Sequence, residues 1–335
     1  SATDLGCMEM LRFGTTSFND MYFHTEIMAE AVRDNGMRAT LGHGIVDFDE
    51  SCADMAEGVA MAKKWNHTCD DRIRFSLAPH SEGATTPVLL RKVAQTAKEL
   101  GVRIHIHVSE TDFDLQGCLR RRGLTPPAYL EQLGILDVPV IAAHCVWFND
   151  ADIEIFRRHG CVIAHNPVSN LKLASGVAPI TKMLAAGCHV ALGTDGVASN
   201  NNLNLWEEIK LMPMLQKGVT LDPTVISPAQ TLAAATVEGA RAMGYDNLGL
   251  LTEGYLADLI LLDLNVPNML PAIDLESNLI YSAQGSDVRL TMVNGKVLYQ
   301  DGAFTTLTRE SLLQKARDGA ETMRRRMEAS GAAHS

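Results

Sequence analysis

The chain has 335 residues, 46% of them apolar and 21% charged, enough for one large core and ordinary for a water-soluble enzyme. With 40 acidic against 29 basic side chains, the net charge of −11 argues against nucleic acid as the main partner, because phosphate binding needs a basic face. No apolar run approaches the ~18 residues of a membrane-spanning helix. The seven cysteines are odd in number and lack CxxC spacing, which fits a reduced, cytoplasmic chain better than a disulfide framework.

The opening SATDLGCMEM is neither a signal peptide nor a natural start, and reads as a cut end. Seven short apolar runs follow, each ending in polar or glycine residues: 14–22, 37–46, 73–81, 102–110, 138–146, 161–167 and 189–195. Amphipathic stretches separate them, such as Thr86 to Leu100, with apolar residues at three- and four-residue steps. Regular alternation of this kind predicts a parallel sheet and favours a (β/α)8 TIM-type barrel over an open sheet. One strand is missing from the count, and the first is the one expected to be absent. After Asp195 two helices are expected, Leu203 to Met214 and Pro228 to Met243. Strand-rich pieces at 257–264 and 288–302 then predict a partial small β-sandwich appendage, with Asn294-Gly295 as its hairpin turn. Residues 309–330 predict a charged helix with a solvated face and a packed stripe. The expected division is 1–245 for the barrel, 246–305 for the appendage and 306–335 for a helix and tail.

Strand ends supply a specific set of groups: Asp20, His80, His107, Glu110, His144 and Asp195. Residues 187–202 are the most informative stretch, because a buried strand there breaks into Gly193-Thr194-Asp195-Gly196 and leaves a carboxylate at its edge. A lone strand-end Asp usually caps the next helix, and a lone strand-end His is usually a satisfied core residue. Several of both on one barrel face are harder to bury without a cation or substrate to compensate them. Imidazole together with carboxylate suits Zn²⁺ or another borderline divalent ion. His105 and His107 share one face of their strand.

At these residues the chain resembles the amidohydrolase superfamily. GTDGVASNN, HVSET, APHS, AAHCV and HNPVSNLKLASG are similar to the branch that holds 5-methylthioadenosine/S-adenosylhomocysteine deaminases and chlorotriazine hydrolases. The resemblance runs in order from SFNDMYF to the NGKVLYQDG hairpin. It implies a hydrolytic deaminase of an adenosine-type nucleoside that uses one divalent ion, Zn²⁺ in first place and Fe²⁺ in second. It also implies metal ligation by His107 and Asp195, and catalysis by Glu110, His144 and Asp195. Substrate contacts are implied for His80, Glu110 and Asp195. Other reactions on such a site stay open, namely guanine or cytosine deamination and dechlorination, as does a non-catalytic binding module.

The family's first-strand HxH, which supplies two further ligands, has no counterpart here, and His105-Ile-His107 is not that motif. A substrate-binding Glu is missing too, and two Arg found in some deaminases have no match in 43–55. A fragment of a longer enzyme is therefore expected, with metal occupancy by this chain left open. Small-molecule substrate and water are the expected partners, together with further copies of the chain. Segments 165–176 and 199–202 either line the pocket or act as rigid scaffold. His107 and Asp195 should converge, and the strands at 14–20 and 189–195 should leave a gap between them.

Overall fold

The computed structural model describes residues 2–47 and 52–329. The proposed tail at 330–335 and part of the 43–55 stretch lie outside these residues. Seven parallel strands form one curled sheet in chain order: β1 (Ser17–Tyr22), β2 (Arg38–Ile45), β3 (Ile73–Pro79), β4 (Arg103–Val108), β5 (Val140–His144), β6 (Val162–His165) and β7 (His189–Leu192). All eight residues of β2 and all five of β5 are buried, as expected of parallel strands covered on both faces.

Local signals explain the helices that cover the sheet. The helix Pro87–Leu100 starts where Thr86 Oγ1 accepts the Leu89 N–H at 3.2 Å, with Pro87 in its first turn. Leu89, Leu90, Val93, Ala94 and Ala97 form its buried stripe, and Gly101 (φ 66°) ends it in the left-handed region. The stretch Pro228 to Met243, expected as one helix, is two: Pro228–Ala235 and Val237–Met243. They meet at Thr236 (φ −130°, ψ −89°), whose hydroxyl donates back to Leu232 O, a bond that competes with the helical ladder. The helix expected from Leu203 instead runs from Leu205 to Thr220 through Pro213, with Asn204 as its N-cap. The charged helix Arg309–Ala329 buries only Leu312, so the expected packed stripe is nearly absent.

The expected gap is present: no pairing joins β7 to β1 among the described residues. Side chains bridge that side instead. Phe18 of β1 and Leu192 of β7 both pack against a cluster that includes Leu11, Trp206, Ile209 and Val288. Trp206 Nε1 donates to Phe13 O at 2.9 Å, and Glu9 accepts the Leu203 N–H at 3.0 Å. These contacts tie the helix Ala2–Arg12, which is not among the expected elements, to the segment that follows β7.

The appendage is one antiparallel layer, ordered β11-β10-β9-β8, with β8 (Leu259–Leu262), β9 (Val288–Val293), β10 (Lys296–Gln300) and β11 (Ala303–Phe304). Asn294 and Gly295, with φ of 50° and 76°, supply the two left-handed residues of a type I′ hairpin. A buried ion pair locks this layer to the barrel. Arg38, first residue of β2, donates from Nε and Nη2 to both carboxylate oxygens of Asp258 at 2.7 and 2.9 Å, and the two side chains are 0% and 1% exposed. Asp258 also accepts the Asn294 N–H at 2.7 Å. Replacing Arg38 by Ala would strand that carboxylate, and urea unfolding should show a loss of about 3–5 kcal/mol. A loss below about 1 kcal/mol would mean that the pair does not hold the two sheets together.

Candidate active site

Parallel pairing places the ends of β3, β4 and β5 side by side, and their loops continue the pairing beyond the strands. His80 O accepts both the backbone N–H of His107 (2.9 Å) and its Nδ1–H (2.8 Å). A carbonyl can only accept, so His107 carries its proton on Nδ1 and leaves the Nε2 lone pair free. Cys145 N–H donates to Val108 O and Trp147 N–H to Ser109 O, which draws the loop after β5 against Glu110. The His107 ring then stacks on His144 with centroids 5.4 Å apart and lies 4.6 Å from His80. His80, Ser81, Glu82, His107, Ser109 and Glu110 line a cavity at this end.

Second contacts fix these groups. His144 Nδ1 pairs with Asn170 Oδ1 at 2.8 Å, and its Nε2 faces Glu110 Oε2 at 3.8 Å. Glu110 Oε1 also accepts from Ser175 Oγ at 3.4 Å. Across the sheet, Asp195 Oδ2 accepts from Ser169 Oγ at 2.6 Å and Oδ1 from Gly196 N–H at 2.6 Å. Thus 165–176 supplies Ser169, Asn170 and Ser175, each bonded to one of the expected site residues. Nothing in the composition of that segment marks which of its residues do so. Ser109, His144, Cys145 and Asp195 all have positive φ, 47–73°, the strained backbone that clusters at functional sites. Gly193 lets Asn166 approach closely, since a Cβ there would lie 2.5 Å from Asn166 Oδ1 and the amide would have to move.

Burial, then the neighbouring His144 and His80, push His107 down to about 4, while the Asp195 charge opposes the shift. Burial, then His107, pushes His105 to about 3; its Nδ1 lies 3.0 Å from Asn19 Nδ2. Burial pushes Asp20 up to about 6, with the Asp195 charge adding to the rise. For a metal, the donors fit in kind but not in number. His107 Nε2 and the Asp195 carboxylate are suitable ligands, yet no three His, Cys, Asp or Glu side chains are grouped to hold an ion among the described residues.

A curled parallel sheet that gathers imidazoles and carboxylates beyond the C-terminal ends of its strands places the chain in the class of β/α-barrel enzymes, whose active sites lie on that face. Within that class the chain belongs to the amidohydrolase family, whose model matches residues 1–298. It is 45% identical to a 5-methylthioadenosine/S-adenosylhomocysteine deaminase of Dictyoglomus thermophilum, across 93% of this chain and 74% of that protein. It is 43% identical to a 5′-deoxyadenosine deaminase of Methanosarcina acetivorans, across 95% of this chain and 74% of the relative. Among solved structures, an adenosine deaminase from Xanthomonas campestris with bound zinc superposes with a TM-score of 0.92 at 32% identity, covering 96% of this chain and 74% of that one. An atrazine chlorohydrolase from Arthrobacter aurescens complexed with zinc gives 0.87 at 25% identity, covering 94% and 75%.

His165, at the end of β6, gives a pH test. It is fully buried, and neither ring nitrogen has a hydrogen-bond partner among the described residues. Burial, then the charge of His144, pushes it from 6.5 to about 3. Because the folded value lies below the unfolded one, the unfolded chain binds a proton that the folded chain refuses. The stability this group contributes is complete above pH 6.5 and is lost as pH falls from there toward 3. One such proton gives a slope approaching about 1.4 kcal/mol per pH unit. Urea unfolding of His165→Asn between about pH 4 and 6 should show the dependence reduced by that amount. An unchanged slope would mean that His165 titrates alike in both states.

Proposed function

We propose that the protein is a hydrolytic deaminase of an adenosine-type nucleoside, with 5-methylthioadenosine, S-adenosylhomocysteine or adenosine itself as the substrate class. The observation that carries this reading is the meeting of Glu110 and His107 on one cavity at the strand ends, with His144 packed against both, in a chain whose relatives are named as deaminases. Water adds to the ring carbon that bears the amino group. As the new C–O bond forms, the C=N electron pair moves to the ring nitrogen, which takes its proton from Glu110. Collapse of the tetrahedral carbon breaks the C–N bond; ammonia leaves with one proton of the water, and the other water proton returns to Glu110. His144 and Asp195 orient that water. His144 suits the task because Asn170 Oδ1 holds its Nδ1–H and leaves Nε2 as an acceptor. His80, exposed beside His107, contacts the substrate, as do Glu110 and Asp195.

The proposed cofactor is one divalent ion, Zn²⁺ with Fe²⁺ as the second choice, and His107 and Asp195 are the ligands offered here. When bound, such an ion lowers the pKa of a coordinated water towards ~7. Two protein ligands are fewer than the three or more that such a site ordinarily uses. The barrel (1–245), appendage (246–305) and C-terminal region (306–335) form one cytoplasmic protein in this reading. No helix among the described residues is long and apolar enough to cross a membrane. Tyr22, Phe23 and Ile27, exposed near one another in sequence at and just after the end of β1, support association with further copies.

Ammonia release from adenosine, 5′-methylthioadenosine and S-adenosylhomocysteine tests the reaction. Turnover of only guanine, cytosine or a chlorotriazine would replace it with another reaction of the family. Glu110→Gln keeps the shape and reach of the side chain but removes the transferable proton. Its kcat should fall by about 10²–10⁴ with KM changed only a few-fold. Near wild-type turnover in that variant would remove Glu110 from the mechanism.

A further inference from the structure

Asp195 is held with φ at 62°, in the left-handed region that residues other than glycine occupy only occasionally. Such strain persists only where the surroundings over-determine it. Two segments hold Asp195 in place. Ser169 Oγ bonds its carboxylate at 2.6 Å, and Asn200 Nδ2 donates to the carbonyl of the preceding residue, Thr194, at 2.8 Å.

Behind both segments lies one acid, Glu208, in the early part of the helix Leu205–Thr220. It is 0% exposed. Its Oε2 accepts the Val168 N–H at 3.1 Å, immediately before Ser169, and its Oε1 accepts Asn200 Nδ2 at 2.7 Å. No Lys, Arg or His forms an ion pair with Glu208 among the described residues. A buried carboxyl with no cation is costly, and a Leu or Met would fill the same volume without that penalty. The cost is visible in its acidity, since burial drives the carboxyl up to about 7 against the pull of Val168 N–H and Asn200. What an apolar residue could not do is accept one hydrogen bond from each of the two segments that flank Asp195.

We propose that Glu208 is a positioning residue for Asp195, clamping the Val168–Ser169 and Thr194–Asn200 segments together so that the Asp195 carboxylate keeps one orientation. This inference rests on the reading of Asp195 as a working group of the site. Glu208 touches no substrate and acts only through Ser169 and Asn200.

Glu208→Gln tests it, because the amide preserves volume but presents NH2 to one of two donors and so breaks one arm of the clamp. The kcat per folded molecule should fall about 10–100-fold, the usual cost when a group that orients a ligand or catalytic side chain is lost, with KM within about three-fold. Independently of activity, backbone hydrogen exchange across 166–170 and 193–200 should accelerate, since both segments lose a shared anchor. Ser169→Ala cuts the clamp at its other end and should give the same kcat-selective loss, and it serves if Glu208→Gln folds poorly. A lower unfolding midpoint with unchanged kcat, KM and loop exchange would make Glu208 mere packing and overturn the proposal. Asp195→Asn separates the two levels. Full activity in Asp195→Asn overturns the reading of Asp195 itself. An inactive Asp195→Asn beside a fully active Glu208→Gln overturns only the positioning role.

Discussion

Parallel hydrogen bonding is the constraint from which the rest of the molecule follows. Each strand from β1 to β7 lies beside its sequence neighbour and runs the same way, so all seven C-terminal ends open on one face. Residues from β3, β4 and β5 that are far apart in the chain therefore meet without a special loop to bring them together. The pairing continues past the strands, from His107 N–H to His80 O and from Trp147 N–H to Ser109 O, and this carries the site's geometry into the loops. Short left-handed steps at Ser109, His144 and Asp195 then turn the chain where an extended strand would have carried it onward.

A second consequence is electrostatic. Inside such a sheet an imidazole is inexpensive when neutral and expensive when charged, and His105, His107 and His165 are all held neutral by burial. The same burial raises the acids Asp20 and Glu208. Glu110, less buried than His144 and braced by Ser175, stands at the edge of this region and beside the cavity.

Much of this was legible from residues alone, for reasons that also explain the misses. Strands covered on both faces need continuous apolar runs, so VPVIAAH and CVIAH announce themselves. A polar residue at the end of such a run is conspicuous, which is how His107, His144 and Asp195 stand out. The supporting residues do not. Ser169, Asn170 and Ser175 look like ordinary loop polarity, and their partners lie 65 residues away in one case and 26 in the two others. Glu208 follows Glu207 in the first turns of a helix, where two acids read as a favourable interaction with the helix dipole; only the fold shows that one is exposed and the other sealed. Thr236 hid its helix break inside an alanine-rich pattern. The two-residue β11 is too short to leave a periodic trace.

The Arg38–Asp258 pair has a consequence for how the molecule is made. Its partners are 220 residues apart, and Arg38 opens the second strand of the sheet. A chain emerging from the ribosome exposes that guanidinium long before its counter-charge exists, and an unpaired guanidinium resists burial. The N-terminal end of β2 therefore waits through 220 further residues of synthesis for its counter-charge. Nascent chains stalled before Asp258 should remain open at that end, available to chaperones, while chains long enough to release the Asn294 hairpin can close it in one cooperative step.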